Sequence, residues 1–402
     1  MVHKPNVSSM IDPKNLIRDR PVSTFCRKSE EFFQRIKDNS ELHGKPFANA
    51  QAAPRLILRL GFLLSGIRLG GGMTILDFGA GTCWLSKMLN QMQCATISVD
   101  PSITALTIGQ RLFKEFPIVG EPILPPRFIV FEGHHISVED NSIDRIVCFD
   151  AFHHVPNQKE ILKEFHRVLK PGGIAGFSEP GPHHSKANDS QAEMMAYGVL
   201  ENDILLEEIK ALADEVGFSG FFVKPHFDCD PDLDYEDYRN IMSKREIPKR
   251  LQDNFIMSME NDNIFFLTKG KFMLDSRNRQ GLKHSLHVKG DRLSGKVNEP
   301  LTLQAAIKNT GEAKWLVDNI KNIGVVFVGM HLYDSSDNLL DLDFYRKKIS
   351  KELYPGDETS ETLSIIFPNP GTYHLIVDLV SERVCWFEQN GSVPQRILVE
   401  VI

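Results

Sequence analysis

The sequence has few cysteines and no excess of basic charge, and both features exclude classes of protein. Six cysteines stand singly in 402 residues, and none belongs to a CxxC pair. A structural zinc site, a thioredoxin-like motif and a disulfide framework are therefore not expected. The formal net charge is −7. This balance argues against a strong non-specific nucleic-acid binder, which would carry a basic face.

Long hydrophobic runs are also missing. The first residues, MVHKPNVSSM, lack the apolar stretch of a secretory signal. The most apolar window, residues 56–69, is interrupted by Arg59 and Arg68 and is too short to span a bilayer. The sequence thus predicts a cytoplasmic protein without a membrane span. Its 402 residues exceed the roughly 250–300 at which a single core stops growing, so two domains are expected.

The first two thirds of the chain alternate between strand and helix patterns. Residues 1–48 are polar, with a helical stretch at 29–36, and are interpreted as an N-terminal helical or lid segment. Apolar residues then recur at helical spacing over 54–67. Strands are predicted at 74–79, 96–100, 127–131, 144–150, 173–179, 220–225 and 263–268. This order predicts an α/β domain over 49–272 with a doubly wound, mostly parallel, Rossmann-like sheet.

The helix patterns disappear after residue 272. Residues 273–290 are charged and lack periodicity, so they are interpreted as a linker. Residues 291–402 contain alternating apolar positions separated by turns, which predicts an all-β sandwich of ~100 residues. Trp315 and Trp386 are expected in its core, with stacking on sugar rings as the alternative.

A glycine-rich turn follows the first strand, where Asp77, Gly79 and Gly81 precede a helix that Thr82 is expected to cap. A dinucleotide site needs a third small residue at position 84 for close helix–strand packing, and Trp84 stands there. A nucleoside cofactor without phosphates relaxes that demand. The Asp77 carboxylate suits a ligand with an ammonium group, and Asp100 at the end of the second strand can accept both ribose hydroxyls. S-adenosylmethionine has both groups and no phosphate.

Four ordered segments carry a more specific resemblance: LDFGAGTCWLS, SVDPS, VEDNSIDRIVCFDAFHHVPN and LKEFHRVLKPGG. Together they resemble class I S-adenosylmethionine-dependent methyltransferases of the type 11 group. Cys83 stands where that group often has a third glycine. The resemblance implies that Asp77, Gly79 and Gly81 line the methionine end of the cofactor and that Asp100 binds its ribose. The other implied cofactor contacts are Glu132, Gly133 or His134 at the adenine, with Phe149 and Asp150 beside the acceptor pocket.

Histidines and a carboxylate at strand ends are candidates for general-base chemistry. His153 follows the fourth strand, and Glu179 with His183 follows the fifth strand. The alternatives are a structural or lid role for His153 and a solvated polar turn for the Glu179–His183 segment. No metal site is predicted, because adjacent histidines at separate loop tips do not by themselves form converging ligands.

The C-terminal segment, with NTGEAKWL and NPGTYHLIVDLVSERVCWFEQNGS, resembles an immunoglobulin-like module attached to polysaccharide-modifying enzymes. Together the two resemblances imply O-methylation of a sugar in a glycan, a lipid-linked glycan or a nucleotide-sugar. The alternatives are methylation of a small natural product or lipid-like metabolite, and a scaffold with a vestigial cofactor site. The expected partner is a small-molecule or saccharide acceptor, and a homodimer and glycan-assembly partners stay open.

Overall fold

The computed structural model describes residues 10–36, 40–116, 124–227 and 232–402. The chain divides into two units, Met1–Leu69 with Met73–Phe272 and Gly70–Gly72 with Met273–Ile402. Cys229 and residues 1–9 of the predicted N-terminal segment lie outside the described residues. No helix of the described ranges is both long and apolar enough to cross a membrane.

The first unit contains one seven-stranded sheet in the order β3-β2-β1-β4-β5-β7-β6. Its strands are β1 (Thr74–Phe78), β2 (Ala95–Asp100), β3 (Arg127–Val130), β4 (Ile143–Phe149), β5 (Leu169–Pro180), β6 (Gly220–Val223) and β7 (Asp262–Thr268). The pairs among β1 to β5 are parallel, and β7 runs antiparallel to β5 and β6. The predicted α/β class with a mostly parallel sheet is confirmed.

The helices of this unit are α1 (Pro13–Asp19), α2 (Val22–Arg35), α3 (Ser40–Gly44), α4 (Ala53–Gly66), α5 (Trp84–Gln91), α6 (Ile103–Glu115), α7 (Gln158–Val168), α8 (Asn188–Tyr197), α9 (Leu206–Val216), α10 (Tyr235–Lys244) and α11 (Lys249–Asn261). Short 3-10 helices stand at Phe152–His154 and His184–Lys186. Helix α10 lies between the segments predicted as strands at 220–225 and 263–268. It begins with an Asp234 side-chain cap, and none of its residues is buried.

The sheet is covered on both faces. Phe265 belongs to one apolar cluster and its neighbour Phe266 to another, because successive side chains of a strand point to opposite faces. Both rings are fully buried. Burial on both faces explains why β7 reads as a continuous apolar run. Helix α7 ends at Val168, and the segment Lys170–Gly173 follows directly in β5, with a register irregularity opposite β4.

The second unit consists of two sheets, ordered β13-β10-β8 and β12-β11-β14-β16-β9, with β15 paired to β14. Its strands are β8 (His284–Val288), β9 (Arg292–Gly295), β10 (Pro300–Asn309), β11 (Val326–Asp334), β12 (Leu339–Lys348), β13 (Glu358–Ile366), β14 (Gly371–Ser381), β15 (Cys385–Trp386) and β16 (Gln395–Val401). Two more 3-10 turns stand at Ile320–Asn322 and Phe387–Asn390. Alternate residues of both sheets form a single apolar cluster, as in a β-sandwich.

Two expectations for this unit need correction. The predicted linker 273–290 contains strand β8, which pairs with β10 and buries Val288. Trp315 is fully buried, as expected of a core residue, and is not available to stack on a sugar. Trp386, also expected in the core, is only half-buried. Its ring centroid lies 4.1 Å from the guanidinium carbon of Arg346 and 4.0 Å from the ring centroid of His331.

A buried ion pair crosses the β-sandwich. The Nε2 of His284 lies 2.5 Å from Asp378 Oδ1, both side chains are fully buried, and the Glu388 amide donates to Asp378 Oδ2. Asp378→Ala is expected to cost about 3–5 kcal/mol of unfolding free energy, because it leaves a buried imidazole without its partner. Urea denaturation followed by the fluorescence of Trp315 and Trp386 in a Trp84→Phe background measures this loss.

The matched control for this test is Asp337→Asn, which removes the charge of an exposed carboxylate beside Arg396 and His374 and still tolerates the left-handed backbone, with φ 63°. Its cost should stay below about 1 kcal/mol, as for other surface pairs. Equal losses in the two variants would contradict a special contribution of the buried pair.

Candidate functional site

A cavity of about 410 Å³ lies at the carboxyl ends of β1, β2 and β4. The glycine turn, Asp100, Phe149 and Asp150 form part of its wall. Residues of helix α2 line it as well: Val22, Phe25, Cys26, Ser29, Phe32 and Phe33. The carboxyl edge of a parallel sheet is the usual ligand-binding edge of doubly wound folds. The predicted cofactor segment therefore borders a formed cavity.

The first glycine of the turn is required by a close approach of backbone. Gly79 has φ +69°, and a Cβ there would lie 2.3 Å from the Cβ of Ala151 in the loop after β4. Its amide donates to the carbonyl of Val99 at 2.8 Å. A side chain at this position would push the two loops apart and change the cavity wall.

Cys83 stands where the type 11 methyltransferases often have a third glycine, and its backbone is left-handed, with φ 61°. A second glycine makes room for its side chain: a Cβ on Gly109 of α6 would lie 2.4 Å from Cys83 Sγ. The predicted cap at Thr82 is wrong. Cys83 is the residue that precedes α5, and the Thr82 hydroxyl instead donates to the carbonyl of Leu42.

Asp100 lies in the cavity wall and holds the glycine turn. Its Oδ2 accepts from the Gly81 amide and its Oδ1 from the Ser102 amide, both at 2.8 Å. Burial raises the pKa of Asp100 to about 6, although these two amides act in the opposite direction. Each carboxylate oxygen keeps a further lone pair for a hydroxyl donor.

Asp77 does not appear among the described residues that line the cavity. It is nearly fully buried beneath the turn, and its Oδ2 accepts from the Ser86 hydroxyl at 2.7 Å. Burial raises the pKa of Asp77 to about 7, against the effect of the Ser86 hydroxyl. The expectation that Asp77 contacts an ammonium group is corrected, because its side chain points to α5 and not to the cavity.

Phe149 and Asp150 both line the cavity, and a buried arginine positions them. Arg59 Nη2 lies 2.5 Å from Asp150 Oδ1, its Nη1 lies 3.2 Å from Oδ2, and its guanidinium stacks 4.7 Å from the Phe149 centroid. Burial would raise the pKa of Asp150, but the Arg59 charge holds it below its ordinary value. In the sequence, Arg59 is visible only as an interruption of an apolar helix.

The implied adenine contacts at Glu132 and His134 need correction. Phe131 and Gly133 line the cavity, whereas the side chains of Glu132 and His134 are exposed. His134 Nδ1 lies 3.1 Å from Glu160 Oε1 at the surface. Phe131 and Gly133 thus face the cavity, and the polar side chains of Glu132 and His134 face the surface.

Glu179 is a structural anchor. Its fully buried carboxylate accepts from the amides of Ala151, Phe152 and His153 at 3.0, 2.9 and 3.3 Å. It also lies 2.8 Å from His153 Nδ1. Neither Glu179 nor His153 is among the described cavity-lining residues, and His183 is exposed with φ 74°. The three predicted base candidates thus lie outside the cavity wall.

Other titratable groups do reach the cavity. His154 and Glu193 line it, and His154 Nδ1 lies 2.5 Å from the Leu200 carbonyl and 3.5 Å from Glu201 Oε1. Burial would lower the pKa of His154, but Glu201 and the Leu200 carbonyl raise it above its ordinary value. Burial, and then the Glu201 charge, raise the pKa of Glu193. No sequence motif points to Glu193 or Glu201 as a functional residue.

Helix α2 is fixed over the cavity by one carboxylate. Glu30 accepts from the Ser102 hydroxyl and the Thr104 hydroxyl at 2.6 Å, and from the Thr104 amide at 3.1 Å. These donors lie at the N-terminus of α6, where a negative charge is favourable. On the opposite side of α2, a Cβ added at Gly133 would lie only 2.5 Å from Val22 Cγ1.

Part of the chain is similar in sequence to known methyltransferases. Residues 76–177 match a family model described as a methyltransferase domain. The chain is 30% identical over 125 residues to a ubiquinone/menaquinone biosynthesis C-methyltransferase of Coxiella burnetii, covering 30% of this chain and 48% of that one. It is also 30% identical over 103 residues to 2-methyl-6-phytyl-1,4-hydroquinone methyltransferase of Synechocystis, covering 26% and 30%. The chain thus spans half or less of the length of these relatives.

Residues 76–177 are therefore the part of the chain that resembles known methyltransferases. Among solved structures, Haemonchus contortus phosphoethanolamine N-methyltransferase 2 with S-adenosylmethionine is similar at 18% identity and a TM-score of 0.39, covering 67% of this chain and 62% of that one. Geranyl diphosphate C-methyltransferase of Streptomyces coelicolor is similar at 12% identity and a TM-score of 0.42, covering 62% and 98%.

Asp100→Ala should weaken binding of S-adenosylhomocysteine by roughly 1–3 kcal/mol, or about 5- to 150-fold in Kd. In the predicted assignment the Asp100 carboxylate binds the cofactor ribose, so the substitution removes those charge-assisted hydrogen bonds and also releases the Gly81 amide. Isothermal titration calorimetry measures the change. Glu132→Ala serves as the control and should keep the wild-type Kd, because its side chain is exposed. Unchanged affinity in Asp100→Ala would remove the ribose assignment.

Asp77→Asn should stabilise the cofactor-free protein increasingly as the pH rises. The folded-state pKa of about 7 lies above the unfolded value near 3.9, so stability present at low pH is lost as the pH rises through 7. Asparagine does not ionise and avoids this loss. The stability difference between variant and wild type should grow by a few kcal/mol from pH 4 to pH 8.

Urea denaturation at pH 5 and at pH 8 measures this difference for Asp77→Asn. Asp189→Asn, at an exposed position of α8, is the control and should show the same stability difference at both pH values. A pH-independent effect of Asp77→Asn would contradict the raised pKa.

Proposed function

We propose that this chain transfers a methyl group from S-adenosylmethionine to an oxygen of a small acceptor, and that the acceptor is a sugar hydroxyl. One observation carries the proposal. A cavity at the carboxyl edge of the sheet combines the glycine turn and Asp100 on one wall with His154 and Glu193 on another. The first wall suits a nucleoside, and the second suits the loss of a proton from a hydroxyl.

The cofactor half of the proposal rests on Asp100 and the backbone of the turn. The Asp100 carboxylate is held by two amides in a fixed orientation, with lone pairs left for the ribose hydroxyls. Gly79 and Gly81 leave the turn without side chains toward the cavity, so the methionine end can approach the backbone. Phe149 and Trp84, in edge contact at 5.5 Å, offer apolar surface beside it.

The acceptor half needs alignment and one proton acceptor. The sulfonium methyl group is already activated, so its transfer depends mainly on approach distance and angle. A hydroxyl acceptor must also lose its proton as the new bond forms. Glu193 is our candidate for this step, because it lines the cavity and its raised pKa makes it a better base than an ordinary carboxylate.

The sugar proposal is supported by the polar groups of the cavity, Lys45, Glu193 and His154. It is also supported by the resemblance of the β-sandwich to modules of polysaccharide-modifying enzymes, in which case the second unit would bind saccharide. A second candidate is a small natural product or lipid-like metabolite. Phe25, Phe32 and Phe33 of α2 favour it, because they give the same cavity an aromatic wall.

The decisive experiment transfers labelled methyl from S-adenosylmethionine into separated polysaccharide, nucleotide-sugar, lipid and small-molecule fractions of the source cells. Label in a saccharide fraction supports the sugar acceptor, and label only in lipid or small metabolites supports the second candidate. The Asp100→Ala protein is the negative control. Failure to bind S-adenosylhomocysteine would overturn the enzyme proposal in favour of a scaffold with a vestigial site.

Once an acceptor is found, Glu193→Gln should lower kcat by about 10²–10⁴-fold. The amide keeps the size of the side chain but cannot accept the proton. The Kd for S-adenosylhomocysteine should stay within a few-fold of wild type, measured by calorimetry on the same preparation. Full turnover in Glu193→Gln would assign the proton to the solvent or to another group.

A further inference from the structure

Three side chains with metal-binding atoms converge beside the cavity. His153, His154 and Glu201 each place one such atom within 4.8 Å of the other two. His153 Nε2 lies 3.5 Å from Glu201 Oε2, and His154 Nδ1 lies 3.5 Å from Glu201 Oε1. No metal site was expected from the sequence, because adjacent histidines do not by themselves form converging ligands and no motif points to Glu201.

The Glu201 carboxylate is buried without full compensation. The side chain is 4% exposed, and its Oε1 makes no hydrogen bond within the described ranges. Its other oxygen, Oε2, lies 2.8 Å from His184 Nε2. A buried carboxylate oxygen without a donor is costly, and it is usually explained by an ion, a water or a function.

The orientation of His153 points in the same direction. Its Nδ1 lies 2.8 Å from Glu179 Oε2, and a carboxylate can only accept, so Nδ1 carries the proton of the neutral ring. The lone pair of Nε2 then faces Glu201 Oε2 at 3.5 Å. Two acceptors face each other, which needs a proton or a cation between them.

This arrangement matches the surroundings of metal-bound histidines, whose second ring nitrogen usually donates to a carboxylate or a backbone carbonyl. Glu179 takes this role for His153, and the Leu200 carbonyl lies 2.5 Å from His154 Nδ1. When Nδ1 donates there, the lone pair of His154 that can bind a metal is on Nε2, and the 3.5 Å contact of Nδ1 with Glu201 Oε1 is not itself a coordination contact. His154 also lines the cavity, so an ion bound here would be within reach of a ligand in it.

We propose that His153, His154 and Glu201 bind one divalent transition-metal ion of the zinc type at the edge of the cavity. Two imidazoles and one carboxylate suit zinc, iron(II) or nickel, whereas magnesium and calcium prefer sets of oxygen ligands. Such an ion could take an acceptor oxygen in its open position and lower the pKa of that hydroxyl. This use of the ion rests on the proposed methyl transfer, but the binding of the ion does not.

The test is metal binding by the full chain without any acceptor. Protein stripped with a chelator is titrated with Zn²⁺ in competition with a chromophoric chelator, and bound zinc is counted after dialysis. One Zn²⁺ per chain is expected, and excess Mg²⁺ should not displace it. Glu201→Gln and His154→Gln should each weaken zinc binding at least 100-fold. His183→Ala, at an exposed histidine of the same region, is the control and should keep the wild-type affinity.

The affinity for S-adenosylhomocysteine is measured on each protein as a separate readout. A single cooperative urea transition shows that a variant is folded, and half-exposed His154 offers a substitution that spares the buried anchor Glu179. Zinc bound equally well by His154→Gln and wild type, or less than one ion per chain in wild type, would overturn the metal proposal. Neither result would affect the methyltransferase proposal, which fails only with loss of cofactor binding or methyl transfer.

Discussion

The buried carboxylate of Glu179 determines the shape of the loop that follows β4. It ends a central strand, has no solvent exposure, and accepts from three successive amides of the neighbouring loop. Those amides would otherwise be buried without partners, which costs more than a hydrogen bond contributes. The same carboxylate orients His153. The position of Ala151 against Gly79, and of His154 at the cavity, follows from this one anchor.

The buried carboxylates around the cavity differ in whether a positive charge lies beside them. Arg59 forms a two-point contact with Asp150, which keeps that carboxylate ionised. Asp100 and Asp77 have only neutral donors in the contacts described, and burial raises the pKa of both. A cationic cofactor would gain from an incompletely compensated carboxylate in the cavity wall, where Asp100 lies and Asp77 does not. Stability and binding would then place opposite demands on Asp100.

The sequence predicted the parts of the site that depend on local geometry. Parallel strands end at one edge, so the spacing of Gly79, Gly81 and Asp100 was enough to bring them together around the cavity. It did not predict contacts between distant segments. Arg59 and Asp150 are 91 positions apart, and no local pattern links them. The predicted adenine contact of Glu132 was wrong for a different reason, because after β3 its side chain points outward to the surface.

The cavity is built by more of the chain than the part that resembles known methyltransferases. The matched residues 76–177 supply the glycine turn, Asp100 and the loop of His154. Helix α2, held by Glu30, and Glu193 of α8 lie outside that range. These outer parts contribute the aromatic wall and the candidate base. If the matched segment 76–177 binds the cofactor, these outer parts are the ones left to select the acceptor.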